Sequence, residues 1–269
     1  SFHSNGRHIY SVSRPALEAD LIISLPKPKS HRFAGMTGAM KNLVGIACKK
    51  ETLPHRTSGD LLSGGDSYCS KSLLKDLADF GLNRKTYLEH EGKTIRATLT
   101  WLWTGFACLL AKKLAPDPYL LGSWYGNDTI WRTIVDLVFI MTFADTCGDI
   151  CEMPQRRFLT IADGIVAGEG AGPLRPTPKK LGALVAGLDF AQVDAVICKM
   201  MGFPAGRIPL MREVMGGCTR VEYREPIVLF DDGVEVGSKA CIAHLEDCDF
   251  PADFHFEPHP NWKDLPCSR

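Results

Sequence analysis

The chain has 269 residues, of which 45% are hydrophobic and 23% are charged, and its 31 basic residues balance 31 acidic ones. This composition is that of a globular protein and is unlike intrinsically disordered, collagen-like or coiled-coil chains. A chain without net charge has no overall field to hold a nucleic-acid backbone or an anionic membrane, so we expect no nucleic-acid partner.

The ten cysteines are predicted to be mostly reduced, because a chain of this length can bury a core without disulfides. No Cys-x-x-Cys pair occurs, so the usual spacing for an iron–sulfur cluster or a zinc ribbon is missing. Cys147 and Cys151 lie four residues apart on a predicted helix and could share a metal. The favoured interpretation of this pair is two buried helix cysteines.

Neither a secretory signal nor a membrane span is predicted. The first ten residues are polar and lack an apolar core. The most apolar stretch, residues 100–111, ends at Lys112 and Lys113, well short of the roughly 20 residues that cross a bilayer. We therefore expect a cytoplasmic protein with a buried helix at this position. Because the chain begins with Ser rather than Met, its natural start is expected to lie upstream, and an export signal there is left open.

The first predicted element is a strand at residues 20–25, whose unbroken apolar run indicates burial on both faces. Pro26 and Pro28 keep the next segment extended, and a helix over residues 38–48 follows Thr37 as its N-cap. Further helical patterns make the middle of the chain mainly helical, and we predict this section to be an insertion over the sheet. They cover residues 71–90, 94–115 and 128–147.

Strands and helices alternate again in the second half of the chain. A strand is predicted at residues 157–165, ending in Asp163-Gly164, then a Gly- and Pro-rich loop, a strand at 183–187 and a helix at 190–201. This order predicts an α/β fold with a mostly parallel sheet, flanking helices and a helical insertion. The predicted segments are a first α/β segment with a Lys/His loop (1–70), the insertion (71–150), a second α/β segment (151–247) and an extended C-terminal tail (248–269).

Two loops are predicted to carry the chemistry, because ligands bind beyond the C-terminal ends of parallel strands. The first loop is cationic and contains Lys27, Lys29, His31, Thr37, Lys41 and Asn42. The second is acidic and rich in glycine, and contains Asp163, Gly168, Glu169, Gly170 and Gly172. A titratable histidine among lysines, facing an acidic loop, is suited to bind a small anion and to move a proton.

Each candidate also has a structural alternative. Lys27 and Lys29 can be solvated surface charges, and His31 can be a buried histidine with a backbone partner. The glycines can serve turns that need a positive φ. In the later helix, Asp189 is expected to be the N-cap, whereas Asp194 lies one turn inside among apolar neighbours and is the better candidate for ligand binding.

Three segments carry a family resemblance: SLPKPKSHRFAGMTGAMKNLVGIACKK, TIADGIVAGEGAGP and GALVAGLDFAQVDAVICKMMGF. They contain a strand ending in Pro-Lys-x-Lys-x-His, a Thr-Gly-x-x-Lys-Asn-x-x-Gly helix, an Asp-Gly ahead of a Glu-Gly-x-Gly-Pro loop, and an Asp inside a late helix. In this order they resemble DUF362, a large family of unknown function. The resemblance covers about residues 20–206 and implies no reaction, because the chemistry of that family is not established.

The first segment is also similar in layout to part of the site of nickel-pincer lactate racemases. His31 and Lys41 are ten residues apart, as the corresponding His and Lys of the racemases are. This resemblance implies an acid/base role for His31 and cofactor binding for Lys41. The segment departs from the racemase pattern at Ala39, where a Gly is expected, and at Val44, where a Pro is expected.

The predicted function is that of an enzyme that uses acid/base chemistry, of the isomerase or hydroxy-acid type, on a small metabolite bearing a carboxylate or phosphate. His31 is the predicted general acid/base, and Lys29 and Lys41 are predicted to anchor the anion or a cofactor. Glu169 and Asp163 are predicted metal ligands or a second acid/base. The further predicted ligand-binding residues are Lys27, Thr37, Asn42, Gly170, Gly172 and Asp194.

A divalent metal ion is the cofactor considered for this enzyme. Two alternatives stay open. One is a redox or electron-transfer protein with a metal centre on Cys147 and Cys151, and the other is a non-catalytic module that binds a small ligand. The sequence determines neither the substrate nor the oligomeric state.

Overall fold

Strands and helices alternate along the chain in a computed structural model, which describes residues 2–4, 6–115, 117–230 and 241–263. The strands in these ranges are β1 (His3–Ser4), β2 (Arg7–His8), β3 (Leu21–Ser24), β4 (Lys29–His31), β5 (Gly35–Thr37), β6 (Arg157–Glu169), β7 (Thr177–Gly187), β8 (Ile227–Phe230) and β9 (Cys241–His244). The helices are α1 (Arg14–Glu18), α2 (Ala39–Asn42), α3 (Leu73–His90), α4 (Thr94–Leu114), α5 (Ile130–Phe143), α6 (Phe190–Met200) and α7 (Pro209–Met215).

The chain divides into two units. Ser1–Leu53 and Trp131–Arg269 together form one unit, which contains the main sheet. Pro54–Ile130 form the second unit, which contains α3 and α4.

The main sheet has five strands with β6 at its centre. β3 and β4 follow one another along one edge of β6 and run parallel to it, with Ile23 opposite Leu159 and Lys29 opposite Gly168. β7 runs antiparallel to β6 along the other edge, and β5 runs antiparallel to β4. Helix α6 packs against β7 and against α2. The predicted α/β fold, with helices flanking a sheet that contains parallel strands, is confirmed.

The last two strands of this sheet, β6 and β7, differ from the prediction in their length and in their relative direction. β6 does not end at Asp163-Gly164 but continues to Glu169, with a bulge between Gly164 and Val166 that preserves the pairing beyond it. β7 begins at Thr177, inside the predicted loop. Residues 170–176 alone join the two strands, fewer than the roughly dozen residues that a crossover between parallel strands needs. The predicted βαβ alternation is wrong here, and β6 and β7 form an antiparallel hairpin.

The prediction that the first strand is buried on both faces is also wrong. Leu21 and Ile23 are 45% and 57% exposed, whereas Ser24 is buried on the opposite face. β3 lies at an edge of the sheet and packs through one face only. An apolar run alone does not distinguish this arrangement from a strand covered on both sides.

Helices α3, α4 and α6 lie close to their predicted ranges. α2 is shorter than predicted, because residues 43–46 continue it as a 3₁₀ turn. α5 ends at Phe143, since the Asp145 carboxylate accepts hydrogen bonds from the Cys147 and Asp149 amides and closes a turn. The prediction that Cys147 and Cys151 share a helix is therefore wrong.

α3 and α4 form a helical hairpin that packs through small side chains. A Cβ atom added to Gly81 of α3 would overlap the Thr104 hydroxyl and the Trp103 ring of α4. The residues of α4 that are buried are Ala97, Thr100, Thr104, Ala107 and Ala111. Across the described ranges, the helices lack the combination of length and apolar character that a bilayer crossing requires.

Candidate functional site

The hairpin of β4 and β5 and the short helix α2 bring together most of the cationic loop. Lys29 and His31 lie two residues apart on β4, and side chains at this spacing lie on the same face of a strand. Thr37 of β5 is directly opposite Lys29. Lys41 lies one turn into α2, which starts immediately after β5. The hairpin therefore places two lysines and a threonine in one neighbourhood.

Lys29 and Lys41 are two cations without an acidic partner. Within the described residues neither side chain forms an ion pair or a hydrogen bond. Burial, and to a smaller extent the charge of Lys29, lowers the pKa of Lys41 to about 8. A covered ammonium group that is repelled by a neighbour and lacks a counter-charge is suited to receive an anion.

Thr37 supplies a hydroxyl group beside these lysines. Its side chain is only 8% exposed, and Oγ1 is fully buried without a hydrogen-bond partner among the described residues. Buried hydroxyl groups are nearly always paired, because an unpaired one loses its bonds to water without replacement. A ligand oxygen bound between the lysines would provide the missing partner.

His31 has a structural task in the turn between β4 and β5. The imidazole is 3% exposed, and its Nδ1 accepts hydrogen bonds from the Phe33 amide at 3.1 Å and the Ala34 amide at 3.2 Å. A nitrogen that accepts two N–H donors carries no proton of its own, so these contacts favour the neutral ring protonated at Nε2. Catalysis by His31 stays a prediction.

Asp194 holds α2 in place from the helix α6. Its carboxylate is fully buried and accepts hydrogen bonds from the amides of Ala39 at 2.5 Å and Met40 at 3.0 Å. Burial raises the pKa of Asp194 to about 7, although these two amide bonds act in the opposite direction. Gly38 leaves the space for this contact, because a Cβ atom there would overlap the carboxylate. These contacts give Asp194 a positioning role for the segment that carries Lys41.

Asn42 is a second support of α2. Its side-chain amide donates a hydrogen bond to the Ser24 hydroxyl at 3.0 Å, which ties the helix to the end of β3.

Lys27 and Asp163 pair with each other. The Lys27 ammonium lies 2.6 Å from the Asp163 carboxylate and donates a second hydrogen bond to the Val166 carbonyl at 2.8 Å. This ion pair lowers the pKa of Asp163. Both side chains are close to half exposed, so the pair is a surface contact between β6 and the chain that follows β3.

The glycine-rich loop packs between the hairpin and the C-terminal segment. The Arg32 amide donates to the Gly172 carbonyl at 3.2 Å, and a Cβ atom on Gly172 would overlap the Ser30 carbonyl. Gly170, with φ at +73°, donates to the Glu257 carbonyl at 2.8 Å. The Glu169 carboxylate accepts from the Glu257 amide at 2.9 Å. Both predicted loops thus meet along β4, and these glycines permit close backbone approach.

A family described as a domain of unknown function, DUF362, matches residues 3–199. The chain belongs to the DUF362 family. The predicted family membership is confirmed, and the match spans the DUF362 segments that carry both loops and Asp194.

One curated relative of this DUF362 chain is the thylakoid-associated protein of Synechocystis sp. strain PCC 6803. It is 25% identical over 201 residues, which cover 74% of the chain and 38% of the relative. The chain therefore spans well under half the length of that protein. No solved structure matches the chain significantly.

Sequence reasoning missed the C-terminal segment that packs against the β4–β5 turn. Trp262 is fully buried, and its indole N–H donates to the Arg32 carbonyl at 2.8 Å, so residues near the end of the chain close the β4–β5 turn. Burial lowers the pKa of His259 to about 4, and the Arg32 charge acts in the same direction. The available signal was a tryptophan in a polar tail, since large aromatic side chains rarely stay exposed.

The predicted metal ligands are not assembled into a metal centre. Glu169 lies 3.5 Å from the Lys179 ammonium, and Asp163 is paired with Lys27. In the part of the chain that the structure describes, no three His, Cys, Asp or Glu side chains come together in a way that could hold an ion. Cys147 is exposed and Cys151 is partly exposed in the loop after α5.

Proposed function

We propose that this DUF362 protein binds a small carboxylate- or phosphate-bearing metabolite between Lys29, Lys41 and Thr37. The observation that carries the proposal is the pair of lysines, which repel each other and have no acidic partner among the described residues. The unpaired Thr37 hydroxyl supports it, because it adds a neutral donor at the same face of the hairpin.

We further propose that Lys41 is the acid/base group of an isomerase- or hydroxy-acid-type reaction. A lysine whose pKa is about 8 holds an anion in its protonated form and still has an appreciable neutral fraction near pH 8, which can accept a proton. An ordinary lysine, with a pKa near 10.4, has almost no neutral form there. Bound anion is expected to raise the pKa of Lys41, and affinity is expected to fall above pH 8, as the ammonium loses its proton.

The racemase resemblance would add a nickel-pincer cofactor on Lys41. The Lys41 amine, which has no protein partner among the described residues, would suit that role. The structure differs from the racemase pattern at His31, whose Nδ1 takes two amide hydrogen bonds within its own turn. We therefore derive no step through this cofactor.

Calorimetric titration with lactate, pyruvate and inorganic phosphate tests the binding proposal. Lys41→Met is expected to weaken the tightest of these ligands by on the order of 2 to 3 kcal/mol, because a charge-assisted bond in a covered site is lost. Thr37→Val should weaken it less, by about 1 kcal/mol. Lys27→Met is the matched control, since that lysine already has Asp163 as its partner.

Equal ligand affinity in the parent and in Lys41→Met would refute the anion site. The acid/base role is tested separately by proton NMR, as exchange of the α-proton of lactate with deuterated solvent. Binding without such exchange would favour the non-catalytic module. The redox alternative has no support from the described residues, because Cys147 and Cys151 lie in a surface loop and belong to no group of three or more side chains there that could hold a metal ion.

A further inference from the structure

Helix α4 presents its large apolar side chains to solvent. Between 56% and 78% of the surface of each is exposed at Ile95, Leu99, Leu102, Phe106 and Leu109. Their spacing of four, three, four and three residues places them in one stripe along the helix. The opposite side of α4 carries the small residues buried in the hairpin. This is the reverse of an ordinary surface helix, whose large apolar side chains face the core.

An exposed apolar stripe of this size indicates a binding surface. Trp101, which is 57% exposed, adds an indole ring to the exposed surface of the helix. The stripe runs over residues 95–109, about 20 Å of helix at 1.5 Å per residue. It belongs to the helical unit, whereas the lysine site on the β4–β5 hairpin belongs to the unit that contains the main sheet.

The charges of α4 are all positive. The helix contains Arg96 near its start and Lys112 and Lys113 at its end, and it has no acidic residue between Thr94 and Leu114. All three cationic side chains lack an ion-pair partner among the residues that the structure describes. The chain as a whole is neutral, so this helix is a local positive region.

These charges decide between the possible occupants of the stripe. A second copy packed on the same stripe would bring two positive helices together without any acidic residue on either to compensate. An anionic lipid surface instead accommodates both features, because acyl chains cover the apolar stripe and headgroups pair with the flanking cations. A tryptophan side chain suits the boundary between headgroups and acyl chains, because its ring is apolar and its N–H is polar.

We propose that α4 docks in the plane of an anionic lipid bilayer, with Leu99, Leu102 and Phe106 inserted between the lipids and Arg96, Lys112 and Lys113 on the headgroups. The helix lies on the bilayer and does not cross it, since no helix of the described residues is both long and apolar enough for a crossing. α3 supports α4 from behind through the close contact at Gly81. The proposal is independent of the anion site.

Co-sedimentation of the full chain with vesicles tests this docking. Vesicles of phosphatidylcholine and phosphatidylglycerol in equal parts are expected to bind the protein, and vesicles of phosphatidylcholine alone to bind it at least about tenfold less. The double variant Leu102→Gln with Phe106→Gln should lower binding to the anionic vesicles by at least about tenfold. The double variant Lys112→Glu with Lys113→Glu should lower binding to the anionic vesicles as well. Added salt should weaken the binding of the parent protein to these vesicles.

The matched control is Leu77→Gln with Phe80→Gln on α3, which are 47% and 63% exposed and lie on a helix with charges of both signs. It should bind as the parent does. Circular dichroism checks that each variant is folded, and the lysine variant keeps the test decisive if the apolar one is not. Equal binding to both vesicle types, no binding at all, or a dimer that the α4 variants dissociate in sedimentation velocity would each overturn the proposal.

Discussion

At the residue scale, Lys41 carries a charge that the fold covers without neutralising it. Its pKa falls from 10.5 to about 8 on folding, because of burial and then of Lys29. Between these pH values the unfolded chain binds more protons than the folded one, so this group makes stability rise with pH across that window. Below pH 8 the buried charge of Lys41 lowers the free energy of unfolding by its full amount.

Lys41→Met is therefore expected to stabilise the free protein at pH 7. Each unit of pKa shift corresponds to about 1.4 kcal/mol, so the gain should be on the order of 1 to 3 kcal/mol and should shrink toward pH 10. Urea unfolding at both pH values measures it, with Lys27→Met as a control that changes by less than about 0.5 kcal/mol. A Lys41→Met variant that is less stable than the parent at pH 7 would contradict the interpretation that the Lys41 charge lacks a compensating partner.

Asp194 shows the opposite dependence on pH. Its pKa rises from 3.8 to about 7 on folding, chiefly through burial. Between those pH values the folded chain binds more protons, so this group makes stability fall as pH rises from about 4 to about 7.

Asp194→Asn is expected to remove this contribution to the pH dependence. It should also destabilise the protein at pH 5 by about 1 to 3 kcal/mol, because the amide cannot accept from both the Ala39 and Met40 N–H groups as a carboxyl group does. Urea midpoints of parent and variant at pH 5 and pH 7.5 supply the comparison. Parallel pH profiles for the two proteins would show that Asp194 does not titrate in this window.

At the scale of elements, the contact between α3 and α4 depends on the absence of a side chain at Gly81. An added Cβ atom would overlap the Thr104 hydroxyl and lie 2.6 Å from the Trp103 ring. Gly105, on α4, has no atom within 4 Å of the corresponding position. A comparison of substitutions at these two glycines therefore distinguishes the effect of steric overlap from the effect of helix propensity.

Substitution by alanine is expected to act in opposite directions at these glycines. Gly81→Ala should destabilise the protein by about 1 to 3 kcal/mol, because the helices must move apart. Gly105→Ala should stabilise it by about 0.5 to 1 kcal/mol, because alanine loses less backbone entropy in a helix. Melting temperatures that shift in the same direction would argue against the close contact.

At the scale of the whole molecule, one face of the main sheet is apolar and open. Ile23 opposes Leu159, and Leu184 opposes Asp163 two pleats further along β6, so Ile23 and Leu184 share a face. They are 57% and 59% exposed. The matched region covers 38% of the relative from Synechocystis, so most of that protein lies outside the match.

Ile23→Thr with Leu184→Thr is expected to reduce the binding of a hydrophobic dye such as anilinonaphthalene sulfonate and to slow aggregation at high concentration. Stability should change by less than about 0.5 kcal/mol, because both side chains are already largely in water. Leu62→Gln is the control, at a leucine that is 94% exposed outside the sheet. Unchanged dye fluorescence in the double variant would show that this face is not an apolar patch.

The sequence by itself determined the elements that depend on local spacing. α3, α4 and α6 follow from apolar residues that recur with helical periodicity, and the Lys/His loop follows from prolines and glycines that restrict the backbone. The family membership rests on the same short segments. The sequence also places Lys29, Thr37 and Lys41 in one segment, because they lie within 13 residues of one another.

Only the tertiary structure decided what each candidate side chain does. Asp194 binds amides that lie 154 and 155 residues earlier, and Lys27 pairs with a carboxylate 136 residues away. The C-terminal Trp262 reaches back to Arg32 across 230 residues. Hydrogen bonds and ion pairs form with whatever group the fold brings within about 3 Å, which local spacing does not encode. Lys41 is distinguished from Lys27 for this reason: the fold gives a carboxylate to one lysine and leaves the other covered without one.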